Sequence, residues 1–209
     1  MMGGNPMKDE DAFDDEMPAH EVELSPFYIG KYTVTQKEWE YIMGDNPSIF
    51  KGEKRPVDNV SWDDCQVFIK KLNEQTGKQF RLPTEAEWEF AARGGNLSCG
   101  YKFSGSNIIQ DVAWYCENSN AQTHDVGKKM PNELGLFDMS GNVFEWCQDR
   151  FGDYSSDMQT NPIGPSSGAD CVIRGGCFAD EACYCRVSTR DFIEPDICGR
   201  NVGLRLALQ

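Results

Sequence analysis

Four positions in one short loop have the types and spacing to gather hard oxygen around a cation: Asp138, Gly141, Val143 and Glu145. They lie in Gly135-Leu136-Phe137-Asp138-Met139-Ser140-Gly141-Asn142-Val143-Phe144-Glu145-Trp146, where two glycines and an Asn-bearing turn lead into an alternating run. In an extended run successive side chains face opposite ways. Phe144 and Trp146 then enter a core together, and Val143, Glu145 and Cys147 take the other parity. Backbone carbonyls alternate likewise, which lets those of Gly141 and Val143 join the carboxylates of Asp138 and Glu145. Four or more oxygen ligands, two of them anionic, suit calcium better than a transition metal. Spacing alone favours the plainer alternative, a glycine turn with solvated acids, because such turns are common in an acidic chain.

Thiols are the other reactive groups. Nine cysteines are scattered through the chain with no paired CxxC motifs, and Cys183-Tyr184-Cys185 is too tight for a usual zinc knuckle. Many read as small core hydrophobes, and their spacing fixes neither disulfide pairing nor compartment. Only His20 and His124 are available as imidazole bases, and no nucleophile elbow accompanies them. His20, two residues after Pro18, reads as a structural hydrogen-bonder rather than a catalyst.

The elements that must position these groups are legible in part. Thr35-Gln36-Lys37-Glu38, Ser61-Trp62-Asp63-Asp64 and Thr84-Glu85-Ala86-Glu87 each set a hydroxyl before a helix and an acid three residues later. The first and third are full capping boxes, and Asp64 is a shorter imitation. Cys65, Phe68, Ile69 and Leu72 form one buried stripe at helical spacing, ended by Gly77. Trp39, Ile42 and Met43 do the same for the first helix, and Trp88, Ala91 and Ala92 for the third. Val22, Leu24, Phe27, Tyr28 and Ile29 read as a strand broken by Pro26. Beyond Gly94-Gly95 the periodicity dissolves into Gly-, Asn- and Ser-rich loops, for which a metal in the central loop is a candidate tie.

At 209 residues the chain is most economically one domain. No apolar run reaches membrane-spanning length, so no direct membrane insertion is expected. A net charge of −14 opposes nucleic acid and anionic membrane as partners. Residues 1–23 read as an acidic, solvated N-terminal arm, and residues 24–209 as the domain.

The run Gly135 to Trp146 resembles the signature of the formylglycine-generating-enzyme (sulfatase-modifying factor) family. Further pieces fall in the family's order: Phe27-Tyr28-Ile29, Val34-Thr35, Pro56-Val57 with Val60-Ser61-Trp62, Arg81 to Glu89, Arg174-Gly175-Gly176 and Gly203-Leu204-Arg205. The resemblance implies an α+β, loop-rich variant of the C-type lectin fold, with a few short helices and small antiparallel sheets. It also implies one structural calcium at Asp138, Gly141, Val143 and Glu145. The motif of the family's second calcium site is missing. The family's oxidases place a Ser after the Gly-Gly pair, a Cys three residues on and another five further, and the two cysteines hold copper. Here Cys177 stands at the Ser position, Asp180 at the first Cys and Cys185 at the second, in a segment that is also shortened. No copper is therefore expected, and catalysis is not.

From Gly175 to Leu208 there is no Lys, Met, Trp or Gln. Scaffold-like residues (Arg186, Val187, Ser188, Arg190, Gly203, Arg205) are interleaved with Cys, Phe, Asp, Tyr, Thr, Ile and Gly, all reachable from an AAC codon when its adenines change. This resembles the variable proteins of diversity-generating retroelements, which carry variable residues late in a C-type lectin domain. The expected variable ligand-binding region is 177–201, with Cys177, Phe178, Asp180, Cys183, Tyr184, Thr189, Asp191, Phe192, Ile193, Asp196, Ile197, Cys198 and Gly199 in contact with ligand. Exposed aromatics among small polar residues supply contact area and adaptable hydrogen bonds. The expected role is that of a receptor- or adhesin-like binder of a protein or surface ligand. It would be exported to the cell surface, its signal or anchor segment lying outside this chain, with a cytoplasmic site as the alternative. Rival readings are a cysteine oxidase or other enzyme of the same family, and a structural accessory domain.

Overall fold

Each of the three longer helices begins where a hydroxyl and an acid exchange hydrogen bonds. Before α1 (Gln36–Met43) the Glu38 N–H donates to Thr35 Oγ1 at 3.3 Å, and the Thr35 N–H to Glu38 Oε2 at 2.8 Å. Before α2 (Trp62–Thr76) the reciprocal bonds between Ser61 and Asp64 are both 3.0 Å, so the shorter acid closes the box as fully as a glutamate. Thr84 and Glu87 repeat the device for α3 (Glu85–Ala92) at 3.2 and 2.9 Å. Gly77 ends α2 at a φ of 69°, in the left-handed region where a missing Cβ removes the steric cost. A single turn, α4 (Ile109–Val112), interrupts the long loops. The computed structural model describes residues 1–7 and 9–209.

Nine short strands complete the order: β1 (Val22–Glu23), β2 (Tyr28–Ile29), β3 (Phe80–Arg81), β4 (Phe144–Arg150), β5 (Gln159–Thr160), β6 (Cys171–Arg174), β7 (Arg190–Ile193), β8 (Val202–Leu204) and β9 (Ala207–Leu208) among the described residues. The central sheet has the order β7-β6-β4-β8. β4 runs antiparallel to β6, with Trp146 opposite Ile173, and parallel to β8, with Trp146 opposite Leu204. β2-β9-β3 form a second, antiparallel sheet that ties the C-terminus to the start of the domain. β1 and β5 pair in parallel.

Both faces of β4 are covered, which explains an almost wholly buried strand in an acidic chain. Phe144 and Trp146 turn toward α1 and α2, joining Trp39, Phe68, Ile173 and Leu204 in the largest core. Cys147 turns the other way, toward Trp88, Ala92, Val172 and Val187. Burying side chains of this size stabilises by roughly 1.5–3 kcal/mol each. The Trp146 indole N–H is satisfied by the Val60 carbonyl at 3.1 Å.

The N-terminal segment is folded onto this body, contrary to the solvated arm expected from its charge. Met2 and Glu16 are buried. The Gly3 N–H donates to Glu89 Oε1 at 2.7 Å, and Arg186 donates to both carboxylate oxygens of Glu16 and, at 2.9 Å, to Asp9. The physical reason is that Arg186 is fully buried, and a buried guanidinium needs anions around it. The acidic run supplies them. Polar side chains likewise tie the long loops. Asn132 donates to the Ala91 carbonyl at 2.8 Å while its oxygen accepts from Leu134 and Leu136, and Asn142 exchanges bonds of 2.9 and 3.1 Å with the His124 backbone.

Candidate functional site

The Asp138–Glu145 loop is held by backbone contacts before any ion is considered. Gly141 has a φ of 74° and lies against the Trp114 backbone in a parallel bridge; its N–H donates to the Gly175 carbonyl at 2.8 Å. A Cβ there would collide with Trp114, so only glycine permits the approach. Asp138, itself at a φ of 57°, accepts the Gly127 N–H on Oδ2 at 2.7 Å. Its Oδ1 is buried without a partner, and burial pushes its carboxyl up to about 6. The Val143 side chain is buried in the loop.

Glu145 is fully occupied. Oε1 accepts from Thr33 Oγ1 at 3.1 Å and Arg205 Nη2 at 2.7 Å; Oε2 accepts from Trp88 Nε1 at 2.7 Å and Arg205 Nε at 2.9 Å. A carboxylate has about four lone-pair sites, and all are used. The two carboxylates and two carbonyls expected to cage calcium therefore do not fit the ion in this arrangement, because Glu145 offers no free lone pair and already faces a guanidinium. Among the described residues no group of three or more His, Cys, Asp or Glu is arranged to hold a metal.

The C-terminal face divides into displayed and buried residues. Tyr184, Phe192 and Ile197 are exposed, as are Asp191, Asp196 and Cys198. Asp180, Cys183, Ile193 and Gly199 are half-buried. Cys177, Phe178 and Thr189 are buried, contrary to the expectation that they meet ligand. At Gly176 the chain turns inward with a φ of 70°. Phe178 then meets Phe50 edge-on at 5.4 Å, donates its N–H to the Asn142 carbonyl at 2.9 Å, and accepts Ser119 Oγ at 2.6 Å on its own carbonyl. Thr189 Oγ1 donates to the Cys183 carbonyl at 3.0 Å. Asp180 closes the turn by accepting the Cys177 N–H at 2.9 Å.

Beneath the displayed residues lies a frame of buried arginines. Arg174 donates to Glu89 and lies 3.6 Å from Glu85; Arg190 pairs with both oxygens of Glu85 at 2.7 and 2.9 Å; Arg186 holds Glu16. Tyr184 stacks on Phe13, itself exposed, at 5.5 Å, and Phe192 lies 4.3 Å from the half-buried Phe151 ring.

Comparison with known proteins places this architecture. The model of the sulfatase-modifying factor enzyme 1-like domain matches residues 1–209. The chain belongs to that family. It is 34% identical over 201 residues to the formylglycine-generating enzyme of Streptomyces coelicolor, covering 88% of this chain and 61% of that protein. It is 41% identical over 176 residues to the chaperone protein LppX of Paenibacillus barcinonensis, covering 60% of this chain and 63% of that protein. The chain thus spans less than two thirds of the length of these curated relatives. Among solved structures, Treponema denticola variable protein 1 superposes with a TM-score of 0.91 at 35% identity, over 99% of this chain and 90% of that one. The fold is the formylglycine-generating-enzyme variant of the C-type lectin fold, α+β and loop-rich.

The sequence resemblance sets Asp180 and Cys185 against the two cysteines of the family's oxidases. Asp180 carries a carboxyl in place of a thiol. The thiol at the second, Cys185, is buried beneath Gly176, where an added Cβ would meet its Sγ at 2.8 Å, and burial pushes it well above the usual thiol range. Burial likewise pushes Cys177 up to about 12, while its sulfur accepts from Ala179 N–H at 3.3 Å and Asn201 Nδ2 at 3.4 Å. The thiolate is the nucleophile and the metal ligand, and these environments disfavour it. All nine cysteines are free.

Two features had no local signal in the sequence. One is the frame of inward arginines, whose acidic partners lie far away in the chain. The other is a polar cleft at the end of β4 that contains Asp149 and His20.

Proposed function

We propose that this chain is a non-catalytic, receptor- or adhesin-like binding domain that presents retroelement-diversified residues to a protein or surface ligand outside the cell. The observation that carries the reading is the division within residues 180–198. Tyr184, Asp191, Phe192, Asp196, Ile197 and Cys198 face solvent, whereas Arg186, Val187, Ser188 and Arg190 between them are buried and hold the backbone. Substitution at an exposed site away from special features usually changes stability by no more than about 0.5 kcal/mol, so such a face tolerates variation that a core does not. The AAC-reachable composition of the same stretch supports diversification, and the likeness to Treponema denticola variable protein 1 is consistent with it. Asp180 in place of a cysteine argues against oxidation of a sulfatase peptide.

The test is genetic and then physical. Sequencing the flank of the gene should find an imperfect, adenine-rich duplicate of its 3′ end beside a reverse-transcriptase gene. Libraries varied at Tyr184, Asp191, Phe192, Asp196, Ile197 and Cys198 should yield folded members from which binders to arbitrary protein targets are selected. Absence of the duplicate, together with loss of folding in most library members, would overturn the reading.

A further inference from the structure

Helices α1 and α2 do not close fully on the second sheet. The Gly30 N–H donates to the Leu206 carbonyl at 2.8 Å and the Val34 N–H to the Leu204 carbonyl at 2.9 Å, so the chain between them bulges away from its partner. The Lys31 carbonyl turns instead to the Phe137 N–H at 3.1 Å. A groove of about 770 Å³ lies against this bulge, lined also by α1, α2, Phe80 of β3 and Leu206. Val34 and Phe68 in it are buried, but Ile42, Leu72, Phe80 and Leu206 are only half-buried, so apolar surface left over from the core faces the groove. Phe80 lies opposite Leu208, and Leu208 opposite Tyr28, a row on one face of the second sheet that carries the apolar surface beyond the groove. Covering such surface is favourable in proportion to its area, and a cleft of this size falls within the range of small-molecule sites.

The threonine hydroxyls that line the groove are committed elsewhere. Thr33 Oγ1 donates to Glu145 at 3.1 Å, Thr35 Oγ1 to Glu38 Oε2 at 2.7 Å, and Thr76 Oγ1 to the Leu72 carbonyl at 2.7 Å. Glu38 is the one acid in the lining, and it also accepts the Thr35 N–H, so its carboxylate is held at the start of α1. Lys37 pairs with Glu53 at 3.3 Å, with both side chains exposed. Lys31 is different. Its ammonium forms no ion pair among the described residues and lies 5.5 and 5.4 Å from the ring centres of Tyr32 and Phe137. In a chain of net charge −14, the groove therefore has a cationic rim.

We infer that this groove binds a free fatty-acid carboxylate, with the alkyl chain along Ile42, Leu72, Phe80 and Leu206 and the head group at Lys31. A carboxylate supplies the anion that Lys31 lacks. An alkyl chain asks for no hydrogen bond where the threonines have none to give. A peptide would bring backbone N–H and C=O groups, which cost free energy when they are buried without partners. An alkylammonium would meet like charge at the rim. A membrane surface would touch the rim and leave the concave floor uncovered. No lining residue lies within 177–201, so the site stands apart from the displayed face and does not depend on it.

Calorimetric titration of the full chain at neutral pH tests this with decanoate, kept below its micellar range. Butyrate and decylammonium are the controls for chain length and charge. Decanoate should bind saturably, and each control should bind about tenfold more weakly or worse. Lys31→Glu should weaken decanoate binding about fivefold or more, since it replaces attraction with repulsion. Gln75→Trp sets an indole into the groove and should abolish binding. Both positions are exposed, so the variants should melt as the parent does. The inference is overturned if decanoate does not saturate by about 10 mM, if decylammonium binds equally, or if either folded variant binds decanoate as the parent does. Cosedimentation with anionic phosphatidylglycerol vesicles by a chain that binds no decanoate would also overturn it, and would assign the face to a membrane.

Discussion

Arg205 donates to both oxygens of Glu145, at 2.9 and 2.7 Å, and reaches the Gly30 and Phe137 carbonyls at 2.8 Å each. Both side chains are fully buried. The pair therefore joins the central loop, the second sheet and the C-terminal strand at one point, and it takes up the carboxylate that a calcium in this loop would need.

The first prediction concerns that pair. Removing one partner of a buried, hydrogen-bonded ion pair typically costs about 3–5 kcal/mol, because the other charge is left unpaired. Arg205→Leu should lower the unfolding free energy by that order, measured by urea denaturation. Chelator and added calcium should leave the melting temperature of the parent unchanged. A calcium-dependent rise that disappears in Asp138→Ala would show instead that the ion enters and Arg205 gives way.

The second separates display from core. Tyr184, Phe192 and Ile197 changed together to Asn should shift the melting temperature by only a few degrees, since each is exposed and contributes about half a kcal/mol or less. Phe178→Ala should cost about 3–5 kcal/mol, as removal of a buried phenylalanine usually does. A triple variant that melts like Phe178→Ala would place those side chains in the core.

How far these features could be read in advance depends on the range of the interactions that make them. Helix starts were legible because Thr35, Ser61 and Thr84 find their partners three residues on. The alternation of Phe144 and Trp146 into the core was legible because strand parity is local. Glu145 was recognisable as part of a motif, but its real partner, Arg205, lies sixty residues further and leaves no mark near the loop. The acidic N-terminus read as solvated for the same reason, since Arg186 pairs with Glu16 across the whole domain. Phe178 resembled its exposed neighbours in composition. Only the turn at Gly176 and the approach of Phe50 decide that it is buried.

The third prediction concerns chemistry. Incubated with a sulfatase-type cysteine peptide, oxygen and copper, the protein should form no formylglycine detectable by mass spectrometry, because Asp180 supplies no thiolate and Cys177 and Cys185 are held as thiols. Turnover that is lost on changing Cys177 or Cys185 to Ser would restore the oxidase reading.

A fourth concerns the docked N-terminus. Deleting residues 1–17 removes Glu16 and Asp9, the anions that pair with Arg186, along with the Phe13 ring that covers it. The truncated chain should be less stable than the full one, by less than the about 3–5 kcal/mol that a charge left buried and unpaired would cost, because the guanidinium gains water. Equal stability of the full and truncated chains would mean that the segment detaches in solution.

The last prediction follows from Asp149. Burial first, then the neighbouring Glu85 carboxylate, pushes its carboxyl up from 3.8 to about 8. Glu87 adds to the rise, while the Glu85 N–H and Arg190 oppose it. The native state therefore holds a proton that the unfolded chain releases at much lower pH. Stability rises with pH only where the unfolded state binds more protons, so here the sign is reversed. The contribution of Asp149 is fully present below about pH 4 and is lost progressively as pH rises toward 8. Each pH unit in that window is worth at most about 1.4 kcal/mol, and relaxation of the cleft reduces this, so a total of a few kcal/mol is the reasonable scale. Chemical denaturation at several pH values should show the parent falling toward pH 8 more steeply than Asp149→Asn, which has no proton to lose. Identical pH profiles for parent and variant would mean that Asp149 is ionised throughout, and that water or an unrecognised cation already completes it.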